Sequence, residues 1–136
     1  MTARLVPSSI GIGVAAVMLA ASLAATAAPR HASYTVAQAE RGRFAYIHDC
    51  AECHGGELEG QFGPALAGPN GAIQFHSGQS VYAFISTQMP SGNAGALPTS
   101  EYLDIVAYIY QRSHIPAGDR PLTLSSVALD TAPVGK

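Results

Sequence analysis

Cys50-Ala51-Glu52-Cys53-His54 holds the only two cysteines of this 136-residue chain, with a histidine directly after the second. A C-x-x-C-H run is the attachment pattern of a c-type haem. Two thiols on one helical turn can each add to a vinyl group of the same porphyrin, and the next residue then lies under the iron as an axial ligand. Random placement would put two cysteines three apart in roughly 1.4% of chains, and follow the pair with histidine in about 0.05%. Three other readings of the pair are weaker. A zinc site needs four ligands, and no second C-x-x-C is present. A thioredoxin-type redox pair needs a βαβ setting, which the pattern around it does not offer. A disulfide across so short a loop would stabilise little.

Toward the N-terminus, Met1 to Ser9 carries Arg4 as its one charged side chain, and Ile10 to Ala25 is apolar or small throughout. Ala25-Thr26-Ala27 puts small residues where a signal peptidase inspects the chain. The expectation is a secretory leader over residues 1–27 and an exported, periplasmic product. The competing expectation is an uncleaved anchor over Ile10 to Ala28, long enough to span a bilayer. Removal of the leader leaves 109 residues (136 less 27), with six basic side chains (seven less Arg4) against nine acidic. That acidic balance argues against nucleic acid or an anionic membrane surface as the partner.

Within the remainder, the pattern divides into a flexible start at 28–33, a domain at 34–115 and an irregular tail at 116–136. Thr35-Val36-Ala37-Gln38 predicts a reciprocal capping box opening a helix from Val36 to His48. Gly42 in mid-helix costs near 1 kcal/mol relative to alanine, so close approach of another helix is expected there. Residues 57–77 lack a sustained period and hold Gly60, Gly63, Pro64, Gly68, Pro69 and Gly71, a loop long enough to be functional. A second helix fits Gln79 to Gln88, with Val81, Phe84 and Ile85 on one face, and Pro90 ends it. A third starts at Thr99 or Ser100, either of which can cap it, and runs to Arg112 with Tyr102, Ile105, Val106 and Ile109 in register. The tail has room for a docked segment at 122–124. Three short helices make a thin all-α core, so the haem should supply apolar volume and the haem-free chain should fold poorly.

With those pieces placed, residues 34 to about 115 resemble class I c-type cytochromes of the small, exported, mono-haem bacterial kind. The haem motif ends the first helix. Gly42 and Tyr46 match the family's glycine and aromatic on that helix, and Asp104-Ile105-Val106-Ala107-Tyr108-Ile109 matches its last helix, packed across the glycine. The resemblance implies one haem c, held covalently by Cys50 and Cys53. It implies His54 as proximal ligand, with its Nδ1–H donated to the Pro64 carbonyl. Met89-Pro90 matches the segment of the sixth ligand, and a thioether there raises the reduction potential. His76 is the rival sixth ligand; His31, His48 and His114 read as surface residues. The tryptophan that serves a propionate in many members is absent, leaving Asn70, Gln74, Ser80 and Tyr82 as candidates for that role.

The family implies single-electron transfer without a substrate site at the iron, hence a carrier and not an enzyme. Its expected partners are a donor dehydrogenase or quinol-oxidising complex and an acceptor oxidase, met as a monomer or as a fixed complex subunit. A haem enzyme or gas sensor with a labile sixth ligand is the reading from a different class. Asp49, Glu52, Glu57 and Glu59 crowd the motif, and no lysine or arginine lies between Arg43 and Arg112. The expectation is an acidic docking face for a basic partner, or simply a solvated surface.

Overall fold

The structure is a computed structural model that describes residues 31–135, Phe75 excepted. The leader, the start of the segment at 28–33, and Lys136 lie outside the described residues. Among the described residues five helices follow in order: α1 (Val36–Asp49), α2 (Ala51–His54), α3 (Gly78–Gln88), α4 (Thr99–Arg112) and α5 (Leu124–Val127). Among the described residues the one β-type pairing is an isolated bridge between Ser77 and Pro133. The architecture is all-α.

α1 and α4 form the centre. From Tyr102 to Tyr110 every residue of α4 is buried, so this helix is walled on all sides rather than on one stripe. α1 buries Gln38, Ala39, Gly42 and Tyr46 against it, and the Tyr46 and Tyr108 rings meet at 5.3 Å in a tilted pair. At the crossing the backbones touch. A Cβ built on Gly42 would lie 1.8 Å from the Asp104 carbonyl oxygen and 2.9 Å from the Ile105 nitrogen. No side chain fits there, which accounts for a glycine in mid-helix. Beside the contact, Arg41 grips the Asp104 carboxylate through Nε at 2.7 Å and Nη2 at 3.0 Å. The Arg41 side chain is 60% exposed, so this fork orients the crossing more than it stabilises it.

Several local expectations change in the folded chain. Thr35 does cap α1, its hydroxyl accepting from the Gln38 amide at 3.1 Å. The Gln38 side chain does not reach back. It turns inward and pairs with the tail, Nε2 donating to the Leu122 carbonyl at 3.0 Å and Oε1 accepting from the Leu122 amide at 2.7 Å. α4 begins at Thr99 with Pro98 in the capping position and no side-chain cap. On α3, Val81 is buried and Ile85 half-buried, but Phe84 is 56% exposed.

The tail is irregular apart from α5, and it is docked. Leu122, Val127, Ala132 and Val134 are buried, α5 carries its own capping box between Thr123 and Ser126, and Val134 and Gly135 donate to the carbonyls of His76 and Gln74. Asp130, 1% exposed, accepts from the Ala32 amide at 2.7 Å and from the Tyr110 hydroxyl. Both bonds are charge-assisted, and burial without such partners would be costly. His31 and Ser33 are not a free start, and the Ser33 hydroxyl donates to the Arg120 carbonyl at 3.0 Å. His31 Nδ1 lies 3.3 Å from Asp130 Oδ1, though not in hydrogen-bonding alignment, and its ring packs at 5.3 Å from Tyr110. His31 is therefore a packed residue; His48 and His114 are exposed.

Gly42→Ala tests the crossing. Propensity alone would gain about 1 kcal/mol, whereas overpacking two backbones should cost about 1–3 kcal/mol or more. Denaturant unfolding of the holo-protein should show a net loss. Unchanged or higher stability would mean that the helices do not touch at Gly42.

Candidate haem-attachment site

Cys50 ends α1 and opens α2. Its amide donates to the Tyr46 carbonyl at 2.9 Å, closing the first helix, and its own carbonyl accepts from Cys53 at 3.2 Å and His54 at 3.0 Å, opening the next. The two thiols and the imidazole thus occupy one tight turn with a fixed direction relative to α1. The turn is anchored from below by Tyr46, fully buried, whose hydroxyl donates to the Gly55 carbonyl at 2.8 Å. Gly55 takes φ +78°, the left-handed conformation that reverses the chain after the histidine.

The loop that follows folds back over the motif. Gly60 donates to the His54 carbonyl at 2.7 Å, and Gln61 and Gly63 both donate to the Cys53 carbonyl, at 3.1 and 2.7 Å. This places Pro64 so that its carbonyl lies 2.9 Å from His54 Nδ1. A carbonyl can only accept, so Nδ1 carries the proton and Nε2 keeps its lone pair. A Cβ on Gly63 would sit 3.0 Å from His54 Cε1, so the loop approaches the ring as closely as a residue without a side chain allows. Imidazole orientation and tautomer are both set by this loop.

No disulfide joins Cys50 and Cys53. Burial pushes the Cys50 thiol up to about 12, with the Asp49 carboxylate and then Cys53 adding to the shift. Among the described residues no three His, Cys, Asp or Glu side chains converge to hold a metal ion. The donor set therefore fits a covalently attached haem: two thiols on one turn and an oriented imidazole with Nε2 bare. Leu66, Ala67 and Ile73 on the loop, Tyr82 and Ile85 on α3, and Leu97 pack against the core while staying only half-buried, the apolar surface a porphyrin needs.

Met89 caps the C-terminus of α3, donating to the Ile85 carbonyl at 3.1 Å. Its own carbonyl accepts from the Tyr102 hydroxyl at 2.6 Å and from the Gly95 amide at 3.1 Å. The Met89 side chain is half-buried and His76 is exposed. Of the propionate candidates, Asn70 is exposed, Gln74 and Tyr82 are half-buried, and the Ser80 hydroxyl is already shared with Ser77 at 3.0 Å.

The four acids do not form one free ring. The Asp49 side chain is 16% exposed and lies 2.9 Å from His48 Nδ1. Glu57 pairs with Arg112 from the end of α4, and Glu59 folds back to accept from the Glu57 amide at 2.7 Å. Glu52 and Cys53 are both exposed. The sequence marks Tyr46 only as the family's aromatic four before Cys50, and its bond to the Gly55 carbonyl is new here; the Tyr102 bond and the Arg112 pair join distant segments and leave no local sequence signal.

A family profile described as cytochrome c oxidase, cbb3-type, subunit III matches residues 37–109. In the crystal structure of the sulfane dehydrogenase SoxCD from Paracoccus pantotrophus, a chain is 27% identical with a TM-score of 0.60, over 92% of this chain and 69% of that one. Cytochrome CL from the marine methylotrophic bacterium Methylophaga aminisulfidivorans is 19% identical with a TM-score of 0.41, over 72% of this chain and 68% of that one. No curated protein matches the sequence.

Tyr102→Phe should loosen the Met89 segment. Loss of one half-buried hydrogen bond costs about 1 kcal/mol, and amide exchange near Leu97 should accelerate while α1 keeps its protection. Uniform acceleration across α1 and the segment, or none at all, would contradict the role given to this hydroxyl.

Proposed function

This chain belongs to the family of c-type cytochrome domains typified by cytochrome c oxidase, cbb3-type, subunit III, and on that premise we propose that it is an exported single-electron carrier with one haem c, ligated by His54 and Met89. Membership places it among haem-based electron-transfer domains, which are not themselves catalytic. The observation that carries it is the His54–Pro64 bond at 2.9 Å, which prepares one imidazole nitrogen for a metal and has no use in a thiol redox site.

When bound, haem supplies a metal centre that changes charge by one electron. The chain's residues do the rest. Cys50 and Cys53 hold the group through thioethers, so it stays with the protein in both oxidation states. The Pro64 carbonyl raises the basicity of the His54 ring and locks its plane. Met89, on a segment tied to α4 by Tyr102, offers a soft thioether that favours the reduced state. The half-buried apolar residues exclude water and lower the local dielectric, which limits reorganisation as the charge changes.

Electron partners are a donor dehydrogenase or quinol-oxidising complex and an acceptor oxidase in a periplasmic chain. No helix among the described residues is long and apolar enough to cross a membrane. The likeness to SoxCD supports a second placement, as the haem subunit of a dehydrogenase complex. Stable co-purification with a larger oxidoreductase would favour that placement, and isolation as a free monomer the carrier. A haem enzyme or gas sensor would bind carbon monoxide rapidly in the reduced state at neutral pH, and the carrier should not.

Met89→Ala should lower the reduction potential and admit exogenous ligands to the iron, with haem still covalently attached. An unchanged potential and visible spectrum would remove Met89 as sixth ligand and pass the role to His76 or another group.

A further inference from the structure

We propose that α1 pairs with α1 of a second copy of this chain, antiparallel about a two-fold axis, through an outward stripe of Val36, Glu40, Arg43, Phe44 and Ile47. The pairing is independent of the electron-carrier reading. Val36 is 56% exposed, Phe44 64% and Ile47 48%, three large apolar side chains left in water on one helix. At about 100° per residue, Val36, Glu40, Arg43 and Ile47 fall within about 60° of one another, and Phe44 flanks them. The residues that α1 buries, Gln38, Ala39, Gly42 and Tyr46, lie on the other side of the helix. Apolar side chains exposed singly need no explanation, whereas a row of them along one helix marks a contact surface. The other large ones exposed among the described residues form no such row: Phe62 is in its loop, Phe84 on α3, and Leu124 and Leu129 on the tail.

Charge identifies the occupant as a second copy. Glu40 and Arg43 lie 3.2 Å apart, and the Arg43 guanidinium is 4.4 Å from the Phe44 ring centre, so these side chains are ordered before docking. The neighbouring polar groups on the outer side are already partnered, Arg41 with Asp104 and His48 with Asp49. A face so balanced does not repel its own copy. Glu40 follows Val36 by the same four positions by which Arg43 precedes Ile47. One antiparallel register therefore sets Val36 against the partner's Ile47 and Glu40 against the partner's Arg43, and the two-fold axis repeats both contacts. The four charges then alternate in sign across the axis. One pair of short helices makes a small interface, so the dimer forms at micromolar concentrations and above.

Sedimentation velocity of the holo-protein, from low micromolar to near-millimolar concentration, tests the pairing. The parent should pass from monomer to dimer, and Ile47→Lys should weaken association about tenfold. Glu40→Arg alone and Arg43→Glu alone should each weaken it by a similar factor, since like charges then face each other twice. Mixed in equal amounts, those two variants should recover the parent's dimer, because one copy now offers two cations and the other two anions at the facing positions. A Glu40–Arg43 pair that acts only within its own helix gives no such recovery. The haem absorbance spectrum of every variant should match the parent's. A parent that stays monomeric over the whole range would overturn the proposal and leave the stripe to a different protein. A dimer indifferent to Ile47→Lys, or a mixture no more associated than its two components, would overturn it as well.

Discussion

The two central helices meet main chain against main chain, α1 at Gly42 and α4 at the Asp104 carbonyl, with no room for a side chain between them. A side chain at position 42 would hold the helices apart, and Tyr46 could then not reach both Tyr108 and the Gly55 carbonyl. The direction of the haem motif follows from that. Cys50 continues α1, Gly55 is held by Tyr46, and the turn between them carries both thiols and the imidazole. A packing constraint made by the absence of one methyl group thus sets the orientation of a reactive cluster about two helical turns away.

A second shell of backbone bonds converts that orientation into chemistry. The loop after Gly55 returns three amides to the carbonyls of Cys53 and His54, and its Pro64 carbonyl fixes the proton on His54. None of these contacts is large in energy alone. Together they remove two alternatives open to a free histidine: the other tautomer and the other ring orientation. The loop spends its glycines on close approach, at Gly63 against the imidazole and at Gly55 in a left-handed turn.

The three long helices were legible because their apolar residues recur at helical spacing and two of their ends carry Thr35 and Pro90; α4 was placed through a cap from Thr99 or Ser100 that the folded chain does not use. The motif was legible because its chemistry demands a fixed spacing. Long-range polar pairs were not. Gln38 has the side chain of a capping-box residue, and only the arrival of Leu122 beside it decides that it turns inward. Arg112 cancels Glu57 across a stretch with no intervening base, so charge counted along the chain overstated the acidic face. The tail buries single residues, Leu122, Val127, Asp130 and Val134, at irregular intervals. Such spacing has no periodic signature, and a buried aspartate reads as solvent-facing until its partners are known.

The central claim is that Cys50 and Cys53 hold one haem covalently under His54. Intact-mass measurement of the protein purified from a host able to attach haem tests it most directly. The account predicts a polypeptide mass increased by one haem, resistant to acid-acetone extraction, with no thiol left to titrate. A polypeptide mass alone, with two titratable thiols or a Cys50–Cys53 disulfide, would contradict it.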